Sequence, residues 1–490
     1  MNDILPEKAQ KFLNRSPLLF IENQWQESLS SETFPSLNPS NGEQLCHIAK
    51  AGKEDVDKAV SVARSAFDRE VKDMSPSGRA ELIYQLAELI SEHEEVLTKL
   101  ETLDNGKPLS RAKGDMKAAV NHLKYYAGWA DKIEGSTIPV HSPEVMVYTR
   151  REPVGIAGLI VPWNFPLVMA IWKLAPALAC GNCCILKPAE QTSVTALYLG
   201  ELIKEAGFPA GMVQILTGDG ETGALITHHM DIDKVSFTGS TEVGKKVLEA
   251  SAQSNLKKVS LELGGKSPNI IFNDANFDRV KETLVWASFY NSGQECTLGS
   301  RVYIHKKVFS QVQQQLLEST RNLTLGRGID DPDLGPLVSR EQMDRVKGYI
   351  DSGKKEAELL IGGSSAGGDL SSGYFMEPTI FRTDDHSSTI VREEIFGPVV
   401  TLSEFEDEEQ LIEYANKTRY GLASAIWTQD ISRAHRLARR IEAGVVWING
   451  YDMFHPAVPF GGYKESGIGR EMGKSALELY TREKAIWVNL

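Results

Sequence analysis

Of the five cysteines in the chain, one sits where a thiol could react. Cys296 lies in Asn291–Ser300 (NSGQECTLGS), a polar, glycine-punctuated loop after a helical run. A reactive thiolate needs access and local dipoles, so Cys296 is the candidate nucleophile, with an idle loop thiol as the plain alternative. Cys180, Cys183 and Cys184 fall in LACGNCCIL, between a core helix and a core strand. Their spacing invites zinc or redox chemistry, but no second pair or nearby histidine completes a ligand set, so they read as small buried apolar residues. Cys46 reads the same way. Glu262 closes an apolar strand in SLELGGK. A buried carboxyl there would have a raised pKa and suit general-base work, whereas a carboxylate that merely binds the turn is the bland reading. The histidines show no metal spacing, and no metal is expected.

Three glycine patterns compete for a dinucleotide. Gly218-Asp-Gly220-Glu-Thr-Gly223 fits the strand–turn–helix fingerprint, but no acidic residue closes the next strand where a ribose contact belongs. Phe237-Thr-Gly239-Ser240-Thr241-Glu-Val-Gly244 is also a strand-to-helix turn, where free N–H groups could meet a pyrophosphate. Gly264-Gly265 reads as a tight turn.

The elements that must position these groups follow from periodicity. The first 150 residues read as mostly helical, with apolar spacing of three and four over 55–67, 78–100 and 113–133. From Gly155 short apolar strands alternate with amphipathic helices: IAGLIV, CCILK, a helix over 193–206, MVQIL, a helix over 224–228, KVSFT, a helix from about Glu242, then VSLEL. A second series runs from about Asn269 to Gly450, and Gly362–Gly373 is a surface loop between two strands. This alternation predicts βαβ units, hence an α/β protein with two parallel-sheet domains and a cleft between them.

Composition limits what such a cleft serves. Lys plus Arg number 53 and Asp plus Glu 66, a net charge of −13, which argues against nucleic acid or an anionic membrane as partner. The uncharged run Val154–Trp172 is long enough to span a bilayer, but Pro162, Asn164 and Pro166 interrupt it, so it reads as strand, turn and core helix. The first residues lack the apolar segment of a secretory signal, and the odd thiol count suits a reducing compartment. A cytoplasmic location is expected.

Seven motifs occur in order: Pro162-Trp-Asn-Phe-Pro166, Lys187-Pro-Ala-Glu190, the Gly239–Gly244 turn, Leu261-Glu-Leu-Gly-Gly-Lys266, Gly293-Gln-Glu-Cys296, Glu393-Glu-Ile-Phe-Gly-Pro398 and Pro459-Phe-Gly-Gly-Tyr-Lys464. Over essentially the whole chain the series resembles the aldehyde dehydrogenase superfamily. The resemblance implies two Rossmann-like open parallel-sheet domains plus a β-ribbon oligomerisation arm. An NAD-binding domain would take 1–131 and 153–264, a catalytic domain 265–465, and the arm 132–152 and 466–490. The arm would build a homotetramer, a dimer of dimers. Gly135–Val140, Val145–Arg150 and AIWVNL do read as extended segments.

The resemblance also assigns roles. Cys296 would attack the aldehyde to give a thiohemiacetal, Asn164 and the cysteine N–H would hold the oxyanion, and Glu262 would activate water to hydrolyse the thioester. NAD would be bound by Pro162, Trp163, Lys187, Glu190, Gly239, Ser240, Gly244, Glu394 and Phe396, and Glu190 at the adenine ribose would favour NAD over NADP. Phe165, Met169 and Trp172 share a helical face and, with Tyr290, Phe454 and Phe460, would line the substrate tunnel. No carboxylate or arginine stands at the matched tunnel positions apart from Glu295 and Asp452. A hydrophobic aldehyde is therefore expected, aromatic or medium-chain, with phenylacetaldehyde-type compounds first. The alternatives are a betaine aldehyde or semialdehyde dehydrogenase, a CoA-acylating relative, disfavoured by Glu262, and a non-catalytic structural member.

Overall fold

The computed structural model describes residues 5–490. Its first sheet has eight strands, in the order Gly467–Ile468, Lys258–Glu262, Lys234–Thr238, Ile156–Ile160, Cys183–Lys187, Val213–Ile215, Leu19–Ile21 and Gln24–Gln26. The five strands from Lys258–Glu262 to Val213–Ile215 are parallel. Both faces of a parallel sheet are covered by helices, which is why CCILK and KVSFT are buried along their whole length. The chain runs outward from Ile156–Ile160 to Val213–Ile215, then returns to the other side of Ile156–Ile160 for Lys234–Thr238. That reversal opens a crevice at the carboxyl ends of these two strands. Pro162-Trp163-Asn164 leaves one of them and Gly239-Ser240 leaves the other.

A second sheet of seven strands is ordered Glu358–Ile361, Thr379–Arg382, Val399–Phe405, Arg301–His305, Pro268–Ile271, Ala423–Trp427 and Val445–Ile448. It is parallel except for the edge strand Glu358–Ile361. Only Leu263–Ser267 separates the last long strand of the first sheet from the first strand of the second. Thr481–Asn489 pairs antiparallel with Val145–Pro153 over nine residues, and Thr137–Ile138 adds a third strand. Trp487 is 67% exposed on this ribbon, with Ile138, Met146 and Leu490 also exposed.

Three expectations need correction. Ahead of the ribbon, the first 150 residues hold not only the strand around Cys46, Gln44–Ala49, which reads as extended in the sequence, but also Leu19–Ile21, Gln24–Gln26 and Thr33–Leu37; strands of three to five residues leave little room for a period of two to show. The helix expected over 78–100 breaks at His93 into Pro76–Glu92 and Glu94–Asn105. Within 466–490, Gly467–Ile468 joins the first sheet and Ser475–Leu479 packs on its helix Pro166–Ala179, so the ribbon receives Thr481–Asn489 alone.

Pro166–Ala179 is buried at every residue, as an apolar helix with proline in its first turn should be. Just beyond it, buried Asn182 ties three segments. Its Nδ2 donates to the carbonyls of Ala177 and Tyr480, and its Oδ1 accepts from Gly155 N–H, each at 3.0 Å. Asn182→Ala strands the buried Gly155 N–H, while the carbonyls of Ala177 and Tyr480 each keep a backbone donor, and it should lower the unfolding free energy by about 1–3 kcal/mol. A urea titration with an unchanged midpoint would refute that.

Candidate active site

A cavity of about 930 Å3 lies between the two sheets. Its walls bring together Cys296, Glu262 and Asn164, together with Pro162, Trp163, Gly239, Ser240, Glu394 and Phe396, and the apolar set Phe165, Met169, Trp172, Tyr290, Phe454 and Phe460. Lys187, Glu190 and Gly244 lie outside this wall. Lys187 and Glu190 face each other at 3.7 Å between Nζ and Oε2. Gly244 is a packing residue: a Cβ there would stand 2.7 Å from Leu263 Cδ2, so its helix can approach the strand only through glycine. The fingerprint at Gly218 is likewise off the cavity wall. Thr222 Oγ1 there donates to Ala51 O, and Lys50 pairs with Asp219 and Glu221.

Cys296 is fixed by the segment before it. Asn291 and Ser292 adopt left-handed φ values of 49° and 55°. Ser292 Oγ donates to Gly335 O at 2.7 Å, while Gln294 Oε1 accepts from Val338 N–H at 2.9 Å. Asn164 Nδ2 donates to Gln294 O at 3.0 Å, and Asn291 Nδ2 returns a bond to Asn164 O at 3.0 Å. The amide is thus locked beside the thiol. Burial pushes the Cys296 thiol well up, and the charges of Glu262, Glu295, Glu394 and Asp452 push the same way.

Glu262 is held in register on both sides, by Thr238 of one neighbouring strand and Gly467 of the other. Burial raises its pKa well above the carboxylate range, the charge of Glu471 adds to this, and Lys173 and Arg470 oppose it. Its Oε1 is buried without a partner. A carboxyl so placed can take a proton near neutral pH.

On the other wall Ser240 caps the helix Thr241–Gln253, its Oγ accepting from Val243 N–H, which leaves helix N–H groups facing the crevice. Trp163 and Phe396 meet edge to face with centroids 5.1 Å apart. Gly264-Gly265 is more than a turn. A Cβ on Gly264 would stand 2.0 Å from Glu394 Oε2, and one on Gly265 would stand 2.2 Å from Cys296 O. Gly265 N–H donates to Glu394 Oε1 at 2.9 Å. A helix N-terminus, a partly buried carboxyl group and an aromatic slot together fit a dinucleotide.

The model of the aldehyde dehydrogenase family matches residues 25–486. The chain belongs to that family. Human mitochondrial aldehyde dehydrogenase is 47% identical over 490 residues, covering 99% of this chain and 93% of its own. Among solved structures, the NAD+ complex of an aldehyde dehydrogenase from Bacillus cereus has a TM-score of 0.97 at 48% identity, covering 99% of each chain. Betaine aldehyde dehydrogenase from Staphylococcus aureus, in complex with NAD+, has a TM-score of 0.96 at 39% identity over 98% of this chain and 97% of its own.

In this aldehyde dehydrogenase, sequence reasoning missed several residues of the wall. Gln342 Nε2 donates to Phe396 O at 2.7 Å and Arg345 donates to Glu394 O at 3.0 Å, so both grip the backbone of the segment that carries Glu394 and Phe396. They sit at the start of an amphipathic helix far from any motif, and no local pattern marks them. His122, also on the wall, stacks on Trp172 with centroids 5.3 Å apart. Because Gly265 lets the backbone of Cys296 approach, Gly265→Ala must displace the thiol. Turnover should fall at least about tenfold with an unchanged far-UV circular dichroism spectrum, since a displacement of ~1 Å at a reacting group is that costly. Near-normal turnover would refute it.

Proposed function

We propose that the protein oxidises a hydrophobic aldehyde, aromatic or medium-chain aliphatic, to the free carboxylic acid with NAD. The reading is carried by one observation: Cys296, Glu262 and Asn164 share a single cavity with the Ser240 helix terminus, Glu394 and the Trp163–Phe396 slot. Cys296 Sγ adds to the carbonyl carbon, and the oxyanion is received by the Asn164 amide and the Cys296 N–H. The hydride acceptor is the chemistry NAD supplies when bound. Trp163, Ser240, Gly239, Glu394 and Phe396 would hold its pyrophosphate and nicotinamide end, with Lys187 and Glu190 at the adenine ribose. Glu262 then takes a proton from the water that attacks the thioester, and Cys296 leaves as thiolate.

The tunnel supports the substrate reading. Phe165 and Tyr290 stack with centroids 6.3 Å apart and planes 16° from parallel. Trp172 packs edge-on against Phe460 at 5.5 Å and tilted against Phe454 at 6.1 Å. Such walls favour flat apolar groups, phenylacetaldehyde-type compounds first. A quaternary-ammonium aldehyde is the second reading, favoured by the similarity to the betaine aldehyde dehydrogenase and by the attraction of cations to aromatic faces.

The assembly belongs to the same proposal. We place the NAD-binding domain at 1–131 and 153–264, the catalytic domain at 265–465, and an oligomerisation arm on the ribbon, whose exposed Trp487 and Ile138 support a homotetramer. All five cysteines are free thiols, which supports a reducing, cytoplasmic setting. Among the described residues no helix is long and apolar enough to cross a membrane.

Cys296→Ala should abolish NADH formation while NAD still binds; residual turnover above about a hundredth of wild type would remove Cys296 from the reaction. Glu262→Gln should give a burst of about one NADH per site followed by slow turnover, because the thioester forms and waits for water. Loss of the burst itself would move Glu262 to an earlier step. Comparing kcat/KM for phenylacetaldehyde, hexanal, betaine aldehyde and succinic semialdehyde tests the substrate class. A charged substrate ahead by more than about tenfold overturns the hydrophobic reading.

A further inference from the structure

The chemistry above leaves three carboxyl groups of the cavity wall unused, and one of them, Asp115, is paired with Lys107. Glu295 immediately precedes Cys296, and Asp452 lies on the loop after strand Val445–Ile448; both line the cavity beside the thiol. Glu295 is only 5% exposed, and its Oε2 is buried with no hydrogen-bond partner. Asp452 is held in place from several sides. Thr297 Oγ1 donates to its Oδ1 at 3.3 Å, Tyr451 OH donates to Thr297 O at 2.6 Å, and its backbone takes a left-handed φ of 55°. A non-glycine residue kept in that region within a functional cavity points to a role for its side chain.

The two carboxyl groups face each other across the cavity wall closely enough for the charge of one to act on the other. Burial pushes Glu295 well above the carboxylate range, and the charge of Asp452 adds to this. Burial also pushes Asp452 up, to about 6, but the hydroxyl of Thr297 opposes the rise, so Asp452 is the member of the pair that holds negative charge more readily. The cations on this side are engaged elsewhere. Lys107 pairs with Glu101 and Asp115, and the Arg111 guanidinium covers the rings of Trp286 and Tyr290. Among the described residues neither Glu295 nor Asp452 has an ion-pair partner. Asp452 is partly buried, and a charge without a counter-ion in such a cavity acts on whatever enters it, because the walls limit screening by water.

We propose that Glu295 and Asp452 form a charge gate beside the nucleophile, which admits neutral and cationic aldehydes to Cys296 and rejects those that carry a carboxylate. The proposal rests on Cys296 being the nucleophile, and it narrows the substrate class from the wall's charge where the aromatic residues narrow it by shape. The gate works by repulsion, which discriminates between ligands of similar size more sharply than added attraction does.

The test uses two alkylating agents that react with a thiolate by the same displacement of iodide, neutral iodoacetamide and anionic iodoacetate. Rates at Cys296 in the intact protein are followed by mass spectrometry of its peptide, and each is divided by the rate with glutathione in the same buffer. Neither aldehyde nor cofactor is needed, so failure of the hydrophobic-substrate reading would show in the aldehyde panel and not here. The normalised preference for iodoacetamide should be at least about fivefold in the wild type and should disappear in Asp452→Asn. Asparagine tolerates the left-handed backbone and still accepts the Thr297 bond, so this change removes charge while keeping shape. Glu295→Gln should keep the preference, since Asp452 retains its charge. A wild-type preference below that level, its survival in Asp452→Asn, or its loss in Glu295→Gln would overturn the gate.

Discussion

Two parallel sheets must touch at a point where no side chain fits, and the rest of the site depends on that contact. Gly264 and Gly265 occupy it, one against the carboxyl of Glu394 and the other against the carbonyl of Cys296. The backbone N–H of Gly265 then bonds Glu394 directly. The approach fixes the distance between the carboxyl end of one sheet, which supplies Glu262, and the loop of the other, which supplies the thiol. A Cβ at either glycine would push apart groups that act only when close. Gly293 does the same one turn earlier, since a Cβ there would meet Gly397 O at 2.0 Å.

Buried charge holds the walls on either side of this joint. Lys173, fully buried, pairs with Glu471 and donates to Ser236 Oγ at 3.1 Å, under the strands that lead to Glu262. At the other side Lys107 sits between Glu101 and Asp115, and Glu101 Oε2 accepts from Leu167 N–H at 3.2 Å, in the first turn of the helix that follows Asn164. That N–H has no partner within its own helix, so the carboxylate completes the helix start and fixes where the Asn164–Phe165 turn points. Lys107 also lies over the Phe165 ring, 4.4 Å from its centroid. Buried ion pairs are costly to desolvate and add little stability over an apolar core. Here they set direction, in two places where direction matters to the reaction.

The cavity joins unlike halves. One is an aromatic lane from Phe454 through Trp172 to Phe165 and Tyr290. The other is a polar slot built from a helix terminus, Glu394 and the Trp163–Phe396 pair. Cys296 stands where they meet, which places a hydrophobic aldehyde and a dinucleotide on opposite sides of one sulfur atom. Burial that raises the Cys296 thiol also raises Glu262. The same exclusion of water therefore favours the neutral form of both groups, the thiol and the carboxylic acid.

Much of this was legible in the residues themselves. CCILK and KVSFT are strands over the expected residues, because a run of buried β-branched and apolar residues between helices has few other options. Cys296 stood out because a polar glycine-rich loop exposes a thiol, and Glu262 because it ends an apolar strand. Distance in space was not legible. Gln342 and Arg345 carry no local signal, and Gly264-Gly265 looks like any turn until two chain segments are seen pressing against it. A strand at AIWVNL could be foreseen, but only the pairing of Gly467–Ile468 with Lys258–Glu262 shows that the segment before it returns to the first sheet. Glu295 and Asp452 are 157 positions apart, and nothing in either segment tells that they line one cavity. Local periodicity and residue chemistry depend on neighbours in the chain, so the sequence determines them. Burial, pKa and contact across a cavity depend on neighbours in space, and those the tertiary structure alone decides.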